Sequence, residues 1–212
     1  MTRRRTPLQN RVTPFGEIVS APWRGSLMGN RGCLHDDRGR LGIRRWRHQN
    51  WVCCVTEFRG RHRHPMPPAR WTALFFWDEA AALAAGHRPC GECRYRDYKR
   101  FRAAWATASL PGDDPREIDK YLHSHRVTRT RQQVRHMAVT RDLPDGVFVM
   151  IPEGEHMPML LKNGQLWHLS LADGRYYAAG PAPAEVTVLT PLPLVECIRA
   201  GYEPAVDLTF RQ

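Results

Sequence analysis

Leu83-Ala84-Ala85-Gly86-His87-Arg88-Pro89-Cys90-Gly91-Glu92-Cys93-Arg94 runs from the end of an alanine-rich segment straight into two cysteines separated by two residues. Upstream of it, Asp78 is a helix N-cap candidate and Gly86 a stop, which predicts a short helix between them. Downstream, Tyr95, Tyr98, Phe101 and Trp105 recur at helical spacing with Arg96, Lys99 and Arg100 on the opposite side. That pattern predicts a second, amphipathic helix over about 94–105. In a Cys-x-x-Cys pair the two intervening residues turn the backbone so that both thiolates face one ion and amide N–H groups point at the sulfurs. A thioredoxin-like redox pair would instead follow a buried strand in a βαβ unit, and no such pattern surrounds Cys90 and Cys93. The spacing favours a metal.

The rest of the chain sets limits on that reading. With 212 residues it can bury a real core without covalent staples. No apolar run reaches the roughly 18–20 residues of a membrane span, and Met1-Thr2-Arg3-Arg4-Arg5 is not followed by the apolar stretch of a signal peptide. The expectation is a cytoplasmic protein with no membrane partner, whose six cysteines are thiols or metal ligands rather than a disulfide framework. Charge is unevenly placed: residues 1–110 hold 21 Lys and Arg against 8 Asp and Glu, whereas residues 143–212 hold 4 against 8. A strongly basic first half points to a polyanion partner, nucleic acid above all, with DNA favoured over RNA.

Three stretches follow from the punctuation. Residues 1–110 form a basic α+β domain with strand candidates at Gly16–Ser20, Leu41–Trp46 and Trp51–Phe58, and with Met28-Gly29-Asn30-Arg31-Gly32 read as a turn. Residues 111–142 open on Pro111-Gly112-Asp113-Asp114-Pro115 and read as a linker carrying a short helix over 118–126. Residues 143–212 form a small antiparallel β-rich module. Its strands are expected at Val147–Ile151, Met157–Leu161, Gln165–Ser170, Arg175–Ala178 and Val186–Thr190, and its closing helix at Leu192–Arg199. Nothing in that acidic module announces chemistry, although it is a candidate surface for a protein partner.

Phe75-Phe76-Trp77-Asp78-Glu79-Ala80-Ala81-Ala82-Leu83-Ala84-Ala85-Gly86-His87-Arg88-Pro89-Cys90-Gly91-Glu92-Cys93-Arg94 resembles the helix and cysteine knuckle of the Ada-type zinc-binding domain. The likeness is close over these residues and loose over about 50–105. It implies a small α+β domain in which four cysteines bind zinc, which contacts DNA, and in which one cysteine can accept a methyl group from a phosphotriester. Cys90 and Cys93 take the positions of that family's second ligand pair. The first pair departs from the family pattern, because this chain has adjacent Cys53 and Cys54 where the family has cysteines four apart.

Neighbouring strand residues point to opposite faces, so one of Cys53 and Cys54 is expected at the ion. The expected ligands are Cys54, Cys90 and Cys93, with Cys33 or His35 fourth, while Cys197 falls on an apolar helix face and reads as core. The histidines His62, His64 and His87 are weaker candidates. Four protein ligands would close the site and make zinc structural; a catalytic site would need a base, for which Glu57, Glu79, His123 and His125 are the suggestive residues. Three functions compete: a zinc-supported nucleic-acid-binding protein of DNA repair or regulation using Arg96, Lys99 and Arg100; a zinc enzyme acting on nucleic acid, as thiolate methyl acceptor or nuclease; and a domain that recruits a protein partner. The tryptophans Trp23, Trp46, Trp51, Trp71 and Trp77 read either as core or as stacking platforms for bases.

Overall fold

The computed structural model describes residues 7–60, 65–152 and 156–207 and, of residues 210 and 211, the backbone. His62 and His64 lie outside the described residues. The architecture is the expected α+β mixture. A six-stranded sheet is built from β1 (Gln9–Val12), β2 (Ile18–Ser20), β3 (Leu27–Asn30), β4 (Val52–Val55), β5 (Leu74–Phe76) and β6 (Arg88–Pro89), in the order β2-β1-β5-β3-β4-β6. The second sheet comprises β7 (His136–Val139), β8 (Phe148–Met150), β9 (Met159–Lys162), β10 (Gln165–Leu169), β11 (Tyr176–Pro181), β12 (Glu185–Val188) and β13 (Phe210–Arg211). Its order is β13-β11-β10-β9-β8-β12-β7, antiparallel throughout except where β13 joins β11. Asn163-Gly164 turns β9 into β10 with both residues at positive φ. Among the described residues, no helix is long and apolar enough to cross a membrane.

The helix α1 (Glu79–Ala84) sits between the sheets. Asp78 caps it by accepting the Ala81 N–H at 2.8 Å, and Gly86 ends it at φ 79°. Every residue of α1 is buried. Ala82 and Ala85 pack on Val12, Leu74 and Phe76 of the first sheet, while Ala80, Ala81 and Ala84 pack on Phe148, Leu160 and Tyr176 of the second. Beyond Glu79 the helix is apolar all round and has no solvent face to offer, and alanine lets two sheets approach it at once. The remaining core joins α2 (Tyr95–Thr107), α3 (Pro115–Arg126) and α4 (Leu192–Arg199) to Val147, Val149, Leu161, Val186 and Val188.

Several expectations change here. The segment 111–142 is more than a connection: Asp114 caps α3 through Arg116 and Glu117, Ile118 and Leu122 are buried with α2 and α4, and β7 is the edge strand of the second sheet. Leu41–Trp46 is not a strand, because its residues are largely exposed and only Leu41 bridges to His35. Conversely, Met28-Gly29-Asn30 is no turn but the body of β3, between β4 and β5. Gly29 is there for closeness: a Cβ on it would stand 2.3 Å from the Val52 carbonyl oxygen. Tyr95, expected with the buried aromatics of α2, is 58 % exposed, whereas Tyr98, Phe101 and Trp105 are buried.

Candidate metal centre

The site is made by strand register. β4 pairs in parallel with β6, Val52 beside Arg88 and Cys53 beside Pro89, and the Cys90 N–H donates to the Cys53 carbonyl at 3.0 Å. Cys90 therefore leaves β6 alongside Cys54. The chain then turns: the Arg94 N–H reaches the Cys90 carbonyl at 3.2 Å and the Glu92 N–H points at the Cys90 sulfur at 3.4 Å. The outcome is that the sulfurs of Cys54, Cys90 and Cys93 all lie within 4.8 Å of one another, each residue half-buried. Among the described residues no other group of three Cys, His, Asp or Glu donors converges in this way.

The three sulfurs share their charge unevenly. The Cys54 thiol donates to Cys90, and this bond, with amide N–H groups of Cys93 and Glu92 against partial burial, draws the Cys90 thiol down to about 5. The same bond and burial push the Cys54 thiol up, and burial raises Cys93. A thiolate already stabilised by amide donors is what a soft metal ion needs, since the thiolate and not the thiol is the ligand. The three cysteines can hold a metal ion.

Cys53 faces the other way, as strand alternation demands. It is fully buried and accepts an N–H of Arg94 at 3.1 Å. Burial raises its thiol to about 12. Arg94 continues to Glu79 at 2.8 Å and to Asp97 at 2.8 Å, and Glu79 accepts the Tyr202 hydroxyl and the Ala205 N–H. A buried polar chain thus ties the residue behind the sulfurs to α1 and to the end of α4. A buried charge network of this kind stabilises only when every member is satisfied, and here both charges are.

The fourth ligand expected at Cys33 or His35 is not brought to the group. Met28 stands opposite Cys54 in the antiparallel β3–β4 pair, so the chain beyond Asn30 leads away from the sulfurs. The Cys33 thiol points to the His35 carbonyl at 3.7 Å, and the His35 ring is held between the Thr72 hydroxyl at 2.6 Å and the Pro67 carbonyl at 3.2 Å. Cys197 is buried in the α4 core as expected. On α2, Arg96, Lys99 and Arg100 are exposed, but Arg100 is engaged by Asp97 at 2.9 Å and lies over the Tyr202 ring.

Three of the four candidate bases are otherwise occupied, and the fourth, Glu57, is exposed beyond the end of β4. Glu79 belongs to the Arg94 chain, His125 packs on Tyr121, and His123 packs on Trp46 and Trp51. His87 is fully buried, stacked on Trp51 at 5.2 Å, and burial holds its imidazole well below the usual range, hence neutral. Trp23 and Trp51 are core, and Trp46, Trp71 and Trp77 are half-buried.

Reasoning along the sequence missed Arg31 and Arg126. Both are 2 % exposed, and each guanidinium lies 4.1 Å from the centre of the Trp51 ring. No local pattern marks them, because one leaves the end of β3 and the other the end of α3. Comparison with protein-family models, with curated proteins and with solved structures finds no match to this chain.

Proposed function

We propose that this is a zinc-supported nucleic-acid-binding protein. The observation that carries the reading is the convergence of three thiols from two distant segments inside a basic half of the chain. An all-sulfur donor set with Cys-x-x-Cys spacing and amide N–H groups on the sulfurs fits zinc, and fits magnesium or calcium poorly. Cys54, Cys90 and Cys93 would hold the ion. When bound it contributes folding free energy by linking β4 to the turn that starts α2. The basic face of α2 is then presented from a fixed base, and the arginine surplus supplies phosphate contacts.

Binding should fall steeply with salt, since each phosphate neutralised lowers the slope of log K against log salt by about 0.9 on duplex DNA. Replacing Arg96, Lys99 and Arg100 together by alanine should reduce that slope by roughly 2–3 units if all three touch phosphate. Fluorescence anisotropy of labelled duplex and single strands over a salt series measures it. Salt-insensitive binding by the full chain, or no binding, would contradict the reading.

A second reading, the thiolate methyl acceptor implied by the Ada-type resemblance, is favoured by one observation: the bond from Cys54 and the amide N–H groups of Cys93 and Glu92 draw the Cys90 sulfur towards the nucleophilic thiolate. In that reaction a cysteine sulfur forms an S–C bond as the methyl O–C bond of a phosphotriester breaks, leaving a phosphodiester anion. A gain of one methyl group on a cysteine after exposure to methylated DNA would move the protein to this class.

A further inference from the structure

A cleft of about 740 Å³ with no cysteine in its lining lies between the β1–β2 turn, the end of α1 and the chain that follows α3. Its walls carry Arg31, Arg45, Arg126, Arg131 and Arg135, with Glu17 as the acidic residue among the lining. Arg45, Arg131 and Arg135 are exposed around the mouth, while Arg31 and Arg126 are buried in the floor.

The floor is the unusual part. Arg31 donates to the carbonyls of Gly16 at 2.9 Å and Ala85 at 3.3 Å, and Arg126 to those of Gly86 at 2.8 Å and Gln49 at 2.5 Å. Arg126 also crosses Gly86 so closely that a Cβ there would stand 2.7 Å from its Cδ. These contacts fix both side chains but bring no negative charge. Among the described residues neither arginine pairs with a carboxylate, and Asp119, the nearest acid on α3, is taken by Arg88 through two bonds of 2.9 and 2.7 Å. Burial draws both guanidinium groups down to about 9, with the charge of Arg45 adding to the fall at Arg31 and that of Asp119 opposing it at Arg126. Arg31 Nε also reaches His87 Nε2 at 3.5 Å, and Arg126 reaches His123 Nδ1 at 3.1 Å. Each guanidinium has five N–H donors, more than these neutral acceptors occupy.

We infer that this cleft binds the phosphate of a nucleotide, held by the buried pair and the mouth arginines, with the base against the half-buried rings of Trp46 and Phe15. An anion here supplies the missing counter-charge to side chains already oriented, so little ordering opposes binding. The volume falls in the range of small-molecule sites. Trp51 is closed to a base, being 1 % exposed beneath the two arginines. Trp46 and Phe15 present partly open rings on the lining. The nucleotide is either free or the phosphorylated end of a single strand, and the phosphate chemistry is the same. The inference deepens the nucleic-acid reading and rests on it for the identity of the anion.

The test uses the full zinc-loaded chain and calorimetric titration with three probes: adenosine 5′-monophosphate, adenosine, and an oligothymidylate carrying a 5′-phosphate. At least one phosphorylated probe should bind, adenosine should bind at least about tenfold more weakly or not at all, and tight binding should weaken as salt rises. The variant R45E/R131E/R135E alters exposed side chains only and should fold; it should lose at least about tenfold in affinity, while R116E/R141E, exposed and outside the lining, should leave mononucleotide binding unchanged. Binding of the mononucleotide assigns a free ligand, and binding of the phosphorylated strand alone assigns a strand end. No binding of either phosphorylated probe, equal binding of adenosine, or an unaffected mouth variant would overturn the assignment. Because duplex binding is read separately through its salt slope, failure of the cleft and failure of the wider nucleic-acid reading are distinct results.

Discussion

Two adjacent cysteines do different work because a strand gives them opposite directions. Cys54 faces Cys90 and Cys93, whereas Cys53 is a buried acceptor for Arg94. Cys54→Ser should therefore abolish bound metal. Cys53→Ser should keep it and lose stability through the disturbed Arg94–Glu79 contact. Native mass spectrometry of the two variants checks this directly, and equal metal content would separate both residues from the site. This division was legible in the sequence, since alternation along a strand needs no knowledge of the fold. The fourth position was not. Cys33 is close to the strands along the chain, but its distance from the sulfurs depends on the β3–β4 register, which rests on a glycine that reads as a turn signal. The buried arginines were equally hidden: a lone Arg in a loop or at a helix end gives no local cue that it will be roofed by distant chain.

At the level of elements, the cysteine turn is anchored from behind by α3. Arg88 of β6 and Asp119 of α3 form a two-bond ion pair in the interior, with side chains 5 % and 2 % exposed. Such a pair adds little over an apolar equivalent, but breaking it strands a buried charge. Asp119→Ala should cost about 3–5 kcal/mol. The urea midpoint should fall with an unchanged slope, and a loss under about 1 kcal/mol would show that water reaches Arg88 freely. The segment containing α3 reads in sequence as a linker because its opening is rich in Pro, Gly and Asp. Those residues instead build the cap of a packed helix, with Pro115 in its first turn. The strands of the second half were legible because they alternate between turns with strong chemistry. Those of the first half are short, joined by long arginine-rich connections, and owe their pairing to contacts across the chain.

Over the whole molecule, charge and core are distributed differently. The basic surplus lies in the first half of the sequence, yet α1, α2 and α3 share their apolar faces with the second sheet, so the two halves are joined through packed side chains. The acidic second half then acts as the scaffold against which the cysteine turn, α2 and the arginine cleft are held. In this account a single metal ion at Cys54, Cys90 and Cys93 is the fixed point of the basic half, and it has a direct physical signature. Zinc-edge X-ray absorption on the full chain should report one zinc per molecule with three sulfur neighbours at about 2.3 Å. Zinc without sulfur neighbours, zinc with four sulfurs, or a fully folded chain that takes up no zinc would contradict it.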